Sequence, residues 1–141
     1  MMIPQQYSAR TLAGLLLMVM LAAPGVLAQD TPKRPKLSVR SSPVMAFAPA
    51  MVTLTAELKD GDDDFAEYYC ATIEWDWDDG TRSESSDDCE PYEAGKSEIK
   101  RRYSIQHRYN IGGIYNVQVR LKQRDKSVAI ARTRITIRST R

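Results

Sequence analysis

Histidine is nearly missing from this sequence, which has one among 141 residues, together with only two cysteines. The motifs G-x-S-x-G and H-E-x-x-H are absent, and so is a glycine-rich phosphate loop. A nucleophile with its neighbouring base cannot be assembled from so few of these side chains. A solvated acidic loop explains the many carboxylates more simply than the paired catalytic carboxylates of a glycosidase do. We therefore expect a protein that is not an enzyme and that has no cofactor, with calcium as the one candidate treated below.

Long apolar runs are scarce as well. Thr11–Val26 is almost wholly apolar, but Pro24–Gly25 interrupts it, and it is shorter than the ~20 residues that span a bilayer. Val26-Leu27-Ala28 then places small or apolar residues before Gln29, which is the layout of a secretory signal peptide. The alternative is an uncleaved membrane anchor. We expect residues 1–28 to be a signal peptide, and the protein to be exported, periplasmic or secreted, meeting a membrane only if the peptide stays uncleaved.

The two cysteines, Cys70 and Cys89, both follow the predicted cleavage site. In an oxidising compartment such a pair indicates a disulfide. A metal site is the rival interpretation, but the histidine, His107, lies 37 residues beyond Cys70. We expect the disulfide, which would stabilise the domain by roughly 3 kcal/mol.

About 113 residues remain after the signal peptide, enough for one compact domain. Gln29–Lys36 is polar, holds two prolines and is predicted to be a linker. Period-two alternation of apolar and polar residues then dominates, without a helical segment. It predicts half-buried strands over 51–58, 72–77, 115–122 and 134–138, separated by turn signals at 60–61, 79–80, 112–113 and 123–127. This pattern favours an all-β protein, an antiparallel sandwich or barrel.

A motif at the middle of the chain carries a family resemblance. The stretch W-D-W-D-D-G-T, then H-R-Y, then G-I-Y-N-V-Q-V resembles the signature of the PKD domain family. The resemblance implies an immunoglobulin-like antiparallel β-sandwich over residues 37–139. The positions that match the signature are Trp75, Asp76, Trp77, Asp79, Gly80, Thr81, His107, Tyr109, Gly113, Tyr115 and Val117.

The residue types of the signature have structural roles of their own. Trp75 and Trp77 point the same way from one strand and can fill the middle of a sandwich. Asp79-Gly80 supplies a tight turn. Tyr115 lies where sandwiches place a tyrosine corner, and His107 is expected just before that strand, as a hydrogen-bonded corner residue.

Two departures from the family pattern are visible. Asp78 stands where the family has a glycine, which adds charge and removes the easiest backbone conformations. Thr81 and His107 are separated by 25 residues, where the family generally has about ten. The additional length, Arg82–Gly95, contains Cys89, so the disulfide would tie this insertion to the sheet beside Cys70.

Charge is strongly separated along the chain. Residues 57–93 carry a net charge of −13, and residues 96–141 carry +11. The acidic part packs oxygen ligands of the kind that calcium prefers. It fails as an EF-hand, because the sixth and twelfth positions from Asp60 are Phe65 and Ala71. By resemblance to PKD-type domains that bind calcium through loops, a non-EF site stays open, with the candidate ligands Asp60, Asp62, Asp64, Asp78 and Asp79.

The basic residues follow the last strands. If Tyr115 and Ile135 mark the inward faces, then Arg120, Lys122, Arg132, Arg134 and Arg138 face outward, with Glu74 and Asp76 on the neighbouring strand. Cross-strand ion pairs are one interpretation. An exposed cationic face for an anionic polymer or lipid is the other, whereas nucleic acid is not expected without stacking aromatics.

Two functions stay open at this level. The first is a non-catalytic extracytoplasmic binding module for an envelope or extracellular protein or glycan. Loops held by a rigid sheet concentrate binding residues, so we predict the site in the tethered insertion, at Asp87, Asp88, Glu90, Tyr92 and Glu93. The second is a structural or assembly component of the cell envelope. It would self-associate through acidic loops and the basic sheet face, with calcium as a further candidate.

Overall fold

The computed structural model describes residue 25 and residues 30–140. The predicted signal peptide lies outside these residues except for Gly25, so cleavage after Ala28 stays a prediction. Within the described part of the chain no helix has the length and apolar character needed to cross a membrane.

The alternating segments of the sequence form strands, as their period of two requires. A single 3₁₀ turn, Ala66–Tyr68, lies between the third and fourth strands. In chain order the strands are β1 (Lys36–Ser42), β2 (Met45–Phe47), β3 (Ala50–Lys59), β4 (Thr72–Asp76), β5 (Arg82–Ser85), β6 (Arg102–Tyr109), β7 (Gly113–Gln123) and β8 (Lys126–Arg138).

The strands form two sheets, with the orders β1-β3-β6 and β2-β8-β7-β4-β5. The prediction of an all-β, immunoglobulin-like sandwich is confirmed. The pairs are antiparallel except that short β2 runs parallel to β8. Since β1 and β2 belong to different sheets, the chain crosses from one sheet to the other between Ser42 and Met45.

The core lies between the sheets and consists of the inward residues of the alternating strands. Each fully buried aliphatic side chain contributes about 1.5–3 kcal/mol. β3, β4, β7 and β8 supply most of the innermost side chains, those no more than 3% exposed: Val52, Leu54, Ala56, Leu58, Ile73, Trp75, Val117, Val119, Leu121, Ile135 and Ile137.

The segment predicted to be a linker is packed against the domain. Lys36 is the first residue of β1, and Pro35 is among the most fully buried residues. The Asp62 N–H donates to the Lys33 carbonyl at 2.9 Å. Gly61 makes this approach feasible, because a Cβ there would come within 2.5 Å of the Pro35 nitrogen. The folded unit therefore begins at Thr31.

Candidate functional site

The family signature forms a column of aromatic rings through the sandwich. The Trp75 and Trp77 rings have centroids 5.9 Å apart, and His107 stacks on Trp77 at 4.2 Å. The rings of Tyr109 and Tyr115 continue the column at 4.8 Å and 4.1 Å. The prediction that both tryptophans face inward is confirmed, since each is at most 2% exposed. This column joins the two sheets and is structural.

Hydrogen bonds tie the tyrosine end of the column to the backbone. The buried Tyr109 hydroxyl donates to the Trp77 carbonyl at 3.0 Å. The Tyr115 hydroxyl donates to the Ile111 carbonyl at 2.7 Å, four residues upstream, as a tyrosine corner does. His107 is hydrogen-bonded, as expected, but it lies within β6, where its inward ring packs on Trp77, and not at a corner.

The turn after Trp77 is held by its own side chains. Asp79 accepts hydrogen bonds from the Thr81 N–H at 3.0 Å and from His107 Nε2 at 2.7 Å. Partial burial raises the pKa of Asp79, but the hydrogen bonds from Thr81 and His107 outweigh it and lower the pKa. Gly80 has φ 85°, which glycine adopts without strain.

Asp78 shows why the family has glycine at this position. Its φ is 59°, in the left-handed region that most side chains avoid. Asp and Asn tolerate this region better than other residues. The Asp78 carboxylate also accepts the Asn116 N–H of β7 at 2.8 Å. The aspartate is therefore accommodated with a hydrogen bond that glycine cannot make.

The acidic loop at residues 60–64 is organised by an arginine. The Arg101 guanidinium donates to the carbonyls of Leu58 at 3.1 Å, Asp60 at 2.8 Å and Gly61 at 3.1 Å. It also pairs with the Asp63 carboxylate. A positive charge from the chain itself thus sits where the carbonyl oxygens of this loop converge, which is the position a bound cation would use.

The five predicted calcium ligands do not come together. Asp62 accepts the Lys33 N–H and Asp64 the Gly95 N–H, both beside the start of β6. Asp78 and Asp79 lie beside the end of β6, where Asp79 contacts His107. Across residues 30–140 no three Asp, Glu, His or Cys side chains are grouped as a metal site needs. Internal donors hold these carboxylates at opposite ends of a strand, so the structure does not group the five residues, and calcium binding stays a prediction.

The insertion is tethered as predicted. Cys70 and Cys89 form a disulfide with a sequence separation of 19 residues. The first residues of the insertion, Arg82–Ser85, pair with β4 as the edge strand β5. The segment from Ser86 to Arg101 has no strand and returns to the smaller sheet.

Beyond the disulfide, the insertion is fastened to the acidic loop. The Tyr92 hydroxyl donates to Asp64, and the Gly95 N–H donates to the same carboxylate at 2.7 Å. These hydrogen bonds, that of Tyr92 first, lower the pKa of Asp64, while the Asp64 carboxylate raises the pKa of Tyr92. The Tyr69 ring lies 5.6 Å from the Tyr92 ring and its hydroxyl donates to the Glu90 carbonyl at 2.9 Å.

A cleft of about 380 Å³ opens beside this junction. Its wall combines aromatic rings with charged groups at the rim. Arg34 pairs with Glu67, and its guanidinium lies 5.4 Å from the Phe65 ring centre. The lining residues come from the N-terminal segment, the loop around the 3₁₀ turn and the insertion: Thr31, Pro32, Arg34, Asp64, Phe65, Ala66, Glu67 and Tyr92.

The predicted binding residues of the insertion differ in their placement. Tyr92 lines the cleft and is 39% exposed. The carboxylate of Asp87 pairs with Lys100 at 2.8 Å, and that of Glu93 pairs with Lys96 at 2.7 Å. Asp88 and Glu90 are exposed beside Cys89 and do not line the cleft. Only one of the five therefore belongs to the concave surface.

Sequence patterns missed most of the cleft. Thr31, Pro32 and Arg34 lie in the segment predicted to be a linker. Phe65 and Glu67 lie between two predicted strands, where no element was predicted. The two prolines and Gly61 were the available signals, since a rigid segment facing a small residue can pack closely. Nothing in the sequence placed this segment against Tyr92, about sixty residues away.

The outward face of the larger sheet has an ion-paired end. Glu74 of β4 accepts hydrogen bonds from Arg120 at 2.6 Å and from Lys122 at 3.2 Å, and Lys122 also pairs with Glu84 at 3.0 Å. The hydrogen bond from Arg120, followed by that from Lys122, holds the pKa of Glu74 below its usual range. At this end the cross-strand interpretation of the basic residues is correct.

Comparison with known proteins agrees with the architecture. The sequence model of the PKD domain matches residues 36–136. The PKD domain of an M14-like peptidase from Thermoplasmatales archaeon SCGC AB-540-F20 is similar in structure, with a TM-score of 0.52 and 15% identity over 77% of this chain and 99% of that one. The CARDB domain of a Pyrococcus furiosus protein, solved in complex with di-metal ions, has a TM-score of 0.49 and 9% identity over 78% and 99% of the two chains.

No curated protein matches the chain in sequence. The family match covers both sheets and every position of the signature, from Trp75 to Val117. PKD domains are non-catalytic modules, typically extracellular or exported, that often mediate binding. The resemblance inferred from the tryptophan motif is confirmed: the chain belongs to the PKD domain family.

Proposed function

We propose that this PKD domain is a non-catalytic module that binds a protein or glycan outside the cytoplasm, in the periplasm or after secretion. The observation that carries the proposal is the cleft of about 380 Å³ beside the disulfide-tethered insertion. Ligand sites are typically concave, largely apolar and of about 300–1,000 Å³, with a few polar groups at the rim.

The chemistry of the cleft suits an amphipathic ligand. The rings of Phe65 and Tyr92 offer flat apolar surface, on which a sugar face or a peptide side chain can pack. Arg34, Glu67 and Asp64 supply charged donors and acceptors at the rim. Because both sugars and peptides combine apolar faces with hydrogen-bonding groups, this composition supports the two ligand classes alike.

The tethering supports a binding role as well. The disulfide, the Tyr92–Asp64 hydrogen bond and the Gly95–Asp64 hydrogen bond hold the insertion in one arrangement. A loop that is already ordered loses less conformational entropy when a ligand binds. Preorganisation of this kind increases affinity without additional contacts.

The test is a binding screen of the chain from Gln29 onward, against a glycan array and an envelope extract. Tyr92→Ala should weaken binding of any captured glycan or protein at least about 30-fold, the loss typical of an aromatic hot spot. Met51→Ala is the matched control, an exposed apolar side chain outside the cleft. Full binding by the Tyr92 variant would contradict the proposal.

Self-association through acidic loops and the basic sheet face is the alternative function. Asp63, Asp87 and Glu93 are already paired with basic residues of the same chain. Fewer acidic groups are therefore available to a second copy. Sedimentation equilibrium across salt concentrations distinguishes the two, since assembly by charge requires association that weakens as salt rises.

A further inference from the structure

One end of the larger sheet exposes large apolar side chains to solvent. Met45 and Phe47 of β2 are 48% and 59% exposed, and Ile114 of β7 is 62% exposed. Register places Met45 and Ile114 on either side of Thr136 in β8, and Phe47 opposite Arg138. With strands about 4.8 Å apart, Met45 and Ile114 lie about 10 Å from each other on one face.

Arginines of β8 alternate on the same face. Arg132, Arg134 and Arg138 are all exposed and share the side of the strand that carries Thr136. Arg132 donates to the Gln118 amide oxygen at 2.7 Å and Arg134 to the Asn116 amide oxygen at 3.3 Å. Both acceptors are neutral, so they hold the side chains without neutralising their charge.

No carboxylate lies within 4.0 Å of these three arginines in the part of the chain from 30 to 140. Two acids lie on the neighbouring segment: Asp76, opposite Gln118, is paired with Arg82 at 3.1 Å, and the Asp78 carboxylate accepts the Asn116 N–H at 2.8 Å. The other end of the sheet is different, because Glu74 and Glu84 bind Arg120 and Lys122. Uncompensated positive charge is thus concentrated beside the exposed apolar side chains.

We propose that this surface, the arginine–apolar patch of Met45, Phe47, Ile114, Arg134 and Arg138, docks on a bilayer that contains anionic lipid. Guanidinium groups bind phosphate with paired hydrogen bonds. Apolar side chains beside them enter the boundary between headgroups and acyl chains. A soluble polyanion would use the arginines alone and leave the exposed phenylalanine, methionine and isoleucine without a role.

The patch lies away from the ligand cleft. Arg34, which lines the cleft, donates to the carbonyl of Val128 near the start of β8, whereas the patch surrounds Thr136. Eight residues of strand separate these positions, about 26 Å. The patch and the cleft are therefore separate surfaces. Docking is independent of the proposed function, because no residue is shared.

Docking through the patch is distinct from membrane contact through an uncleaved signal peptide. No sequence pattern indicated a role for Met45 or Phe47, which lie on the short parallel strand β2. Only the pairing of β2 with β8 brings them next to Arg138 and Thr136.

The experiment is co-sedimentation with vesicles of phosphatidylcholine, with and without phosphatidylglycerol. The chain from Gln29 onward is used, because residues 31–141 form a compact unit and the preceding apolar run would bind lipid by itself. Two variants test the patch: Arg134→Gln with Arg138→Gln, and Phe47→Ser with Ile114→Ser. Their controls are Arg108→Gln with Lys126→Gln, which removes the same charge elsewhere, and Met51→Ser, which removes a side chain 52% exposed on the other sheet.

Binding is expected only to vesicles with phosphatidylglycerol. Each arginine near an anionic surface contributes about five-fold, so the double arginine variant should lose about 25-fold in partitioning. The apolar variant should lose at least about ten-fold, and both controls should lose less than about three-fold in a matched experiment. All positions are exposed, and circular dichroism should show the parent's β signal.

Three results would overturn the proposal. The parent chain does not bind phosphatidylglycerol vesicles; the controls lose as much as the patch variants; or the apolar variant binds as the parent does. Soluble polyphosphate serves as a competitor in the last case. If it displaces parent and apolar variant equally, the arginines form a polyanion site and not a membrane-docking surface.

Discussion

Removing the disulfide tests how the insertion is held. Cys70→Ser together with Cys89→Ser opens a covalent loop with a sequence separation of 19 residues. For a loop of this length, chain entropy gives about 3 kcal/mol of stabilisation. Cys89 is exposed and Cys70 lies outside the core cluster, so little packing is lost with the sulfurs. We expect the free energy of unfolding to fall by about 3 kcal/mol.

Urea unfolding followed by tryptophan fluorescence measures the change, since Trp75 and Trp77 lie in the core. With a denaturant dependence of about 1–3 kcal/mol per molar urea, the midpoint should fall by about 1–3 M. The parent chain with reductant should behave as the double variant does. Asp88→Ser is the matched control, a change of an exposed residue in the same loop that should stay within about 0.5 kcal/mol of the parent.

Two outcomes would refute the explanation by loop closure. A difference below about 0.5 kcal/mol would mean that the hydrogen bonds of Asp64 to Tyr92 and Gly95 already restrict the loop. A loss above about 5 kcal/mol would exceed the range of disulfide effects. It would mean that the insertion, and not the two sheets, holds the domain together.

Three further predictions concern the sandwich. Tyr109→Phe should lower the free energy of unfolding by about 1–3 kcal/mol in urea, because the buried Trp77 carbonyl loses its donor. Glu74→Gln should destabilise the domain at neutral pH but not in acid, which thermal melts across pH would show. The hydrogen bond from Arg120, the first cause, lowers the pKa of Glu74 in the folded state. The stabilisation by this carboxylate is therefore complete above its ordinary pKa of 4.5 and is lost as the pH falls through the lower folded pKa. Asp78→Ala should be about 1 kcal/mol less stable than Asp78→Gly in urea unfolding, because φ is 59°.

Each of these predictions has a contradicting result. Tyr109→Phe as stable as the parent would mean that water replaces the hydroxyl. A stability difference for Glu74→Gln that does not change between pH 7 and acid would exclude the carboxylate charge as its cause. Equal stability of the Ala and Gly variants at Asp78 would mean that the turn relaxes when the aspartate is removed.

Local patterns were sufficient for the frame of this domain. The alternation in β3, β4, β7 and the end of β8 predicted four strands, because a strand with one buried face must alternate. Four strands escaped prediction. β1 has only two apolar residues, Leu37 and Val39, and β2 and β5 are too short to show a period. The inward residues of β6 include two tyrosines and a histidine.

Signals within short stretches also predicted the covalent and family features. The two cysteines after a predicted signal peptide indicated the disulfide, and the motif around Trp75 and Trp77 indicated the PKD domain. These conclusions depend on residue type and spacing, which remain visible in a linear sequence.

Charge and concavity required the tertiary structure. The carboxylates at Asp60–Asp64 looked like ligands for a cation until folding placed Arg101 among their carbonyls, forty residues away along the chain. The cleft joins segments near Thr31, Phe65 and Tyr92, and no local pattern relates them. The five basic residues predicted to face outward, Arg120, Lys122, Arg132, Arg134 and Arg138, look equivalent in sequence, yet Glu74 neutralises two of them and leaves the others exposed. Which charges meet is decided by strand register between distant segments, because electrostatic pairing depends on distance in space and not on separation along the chain.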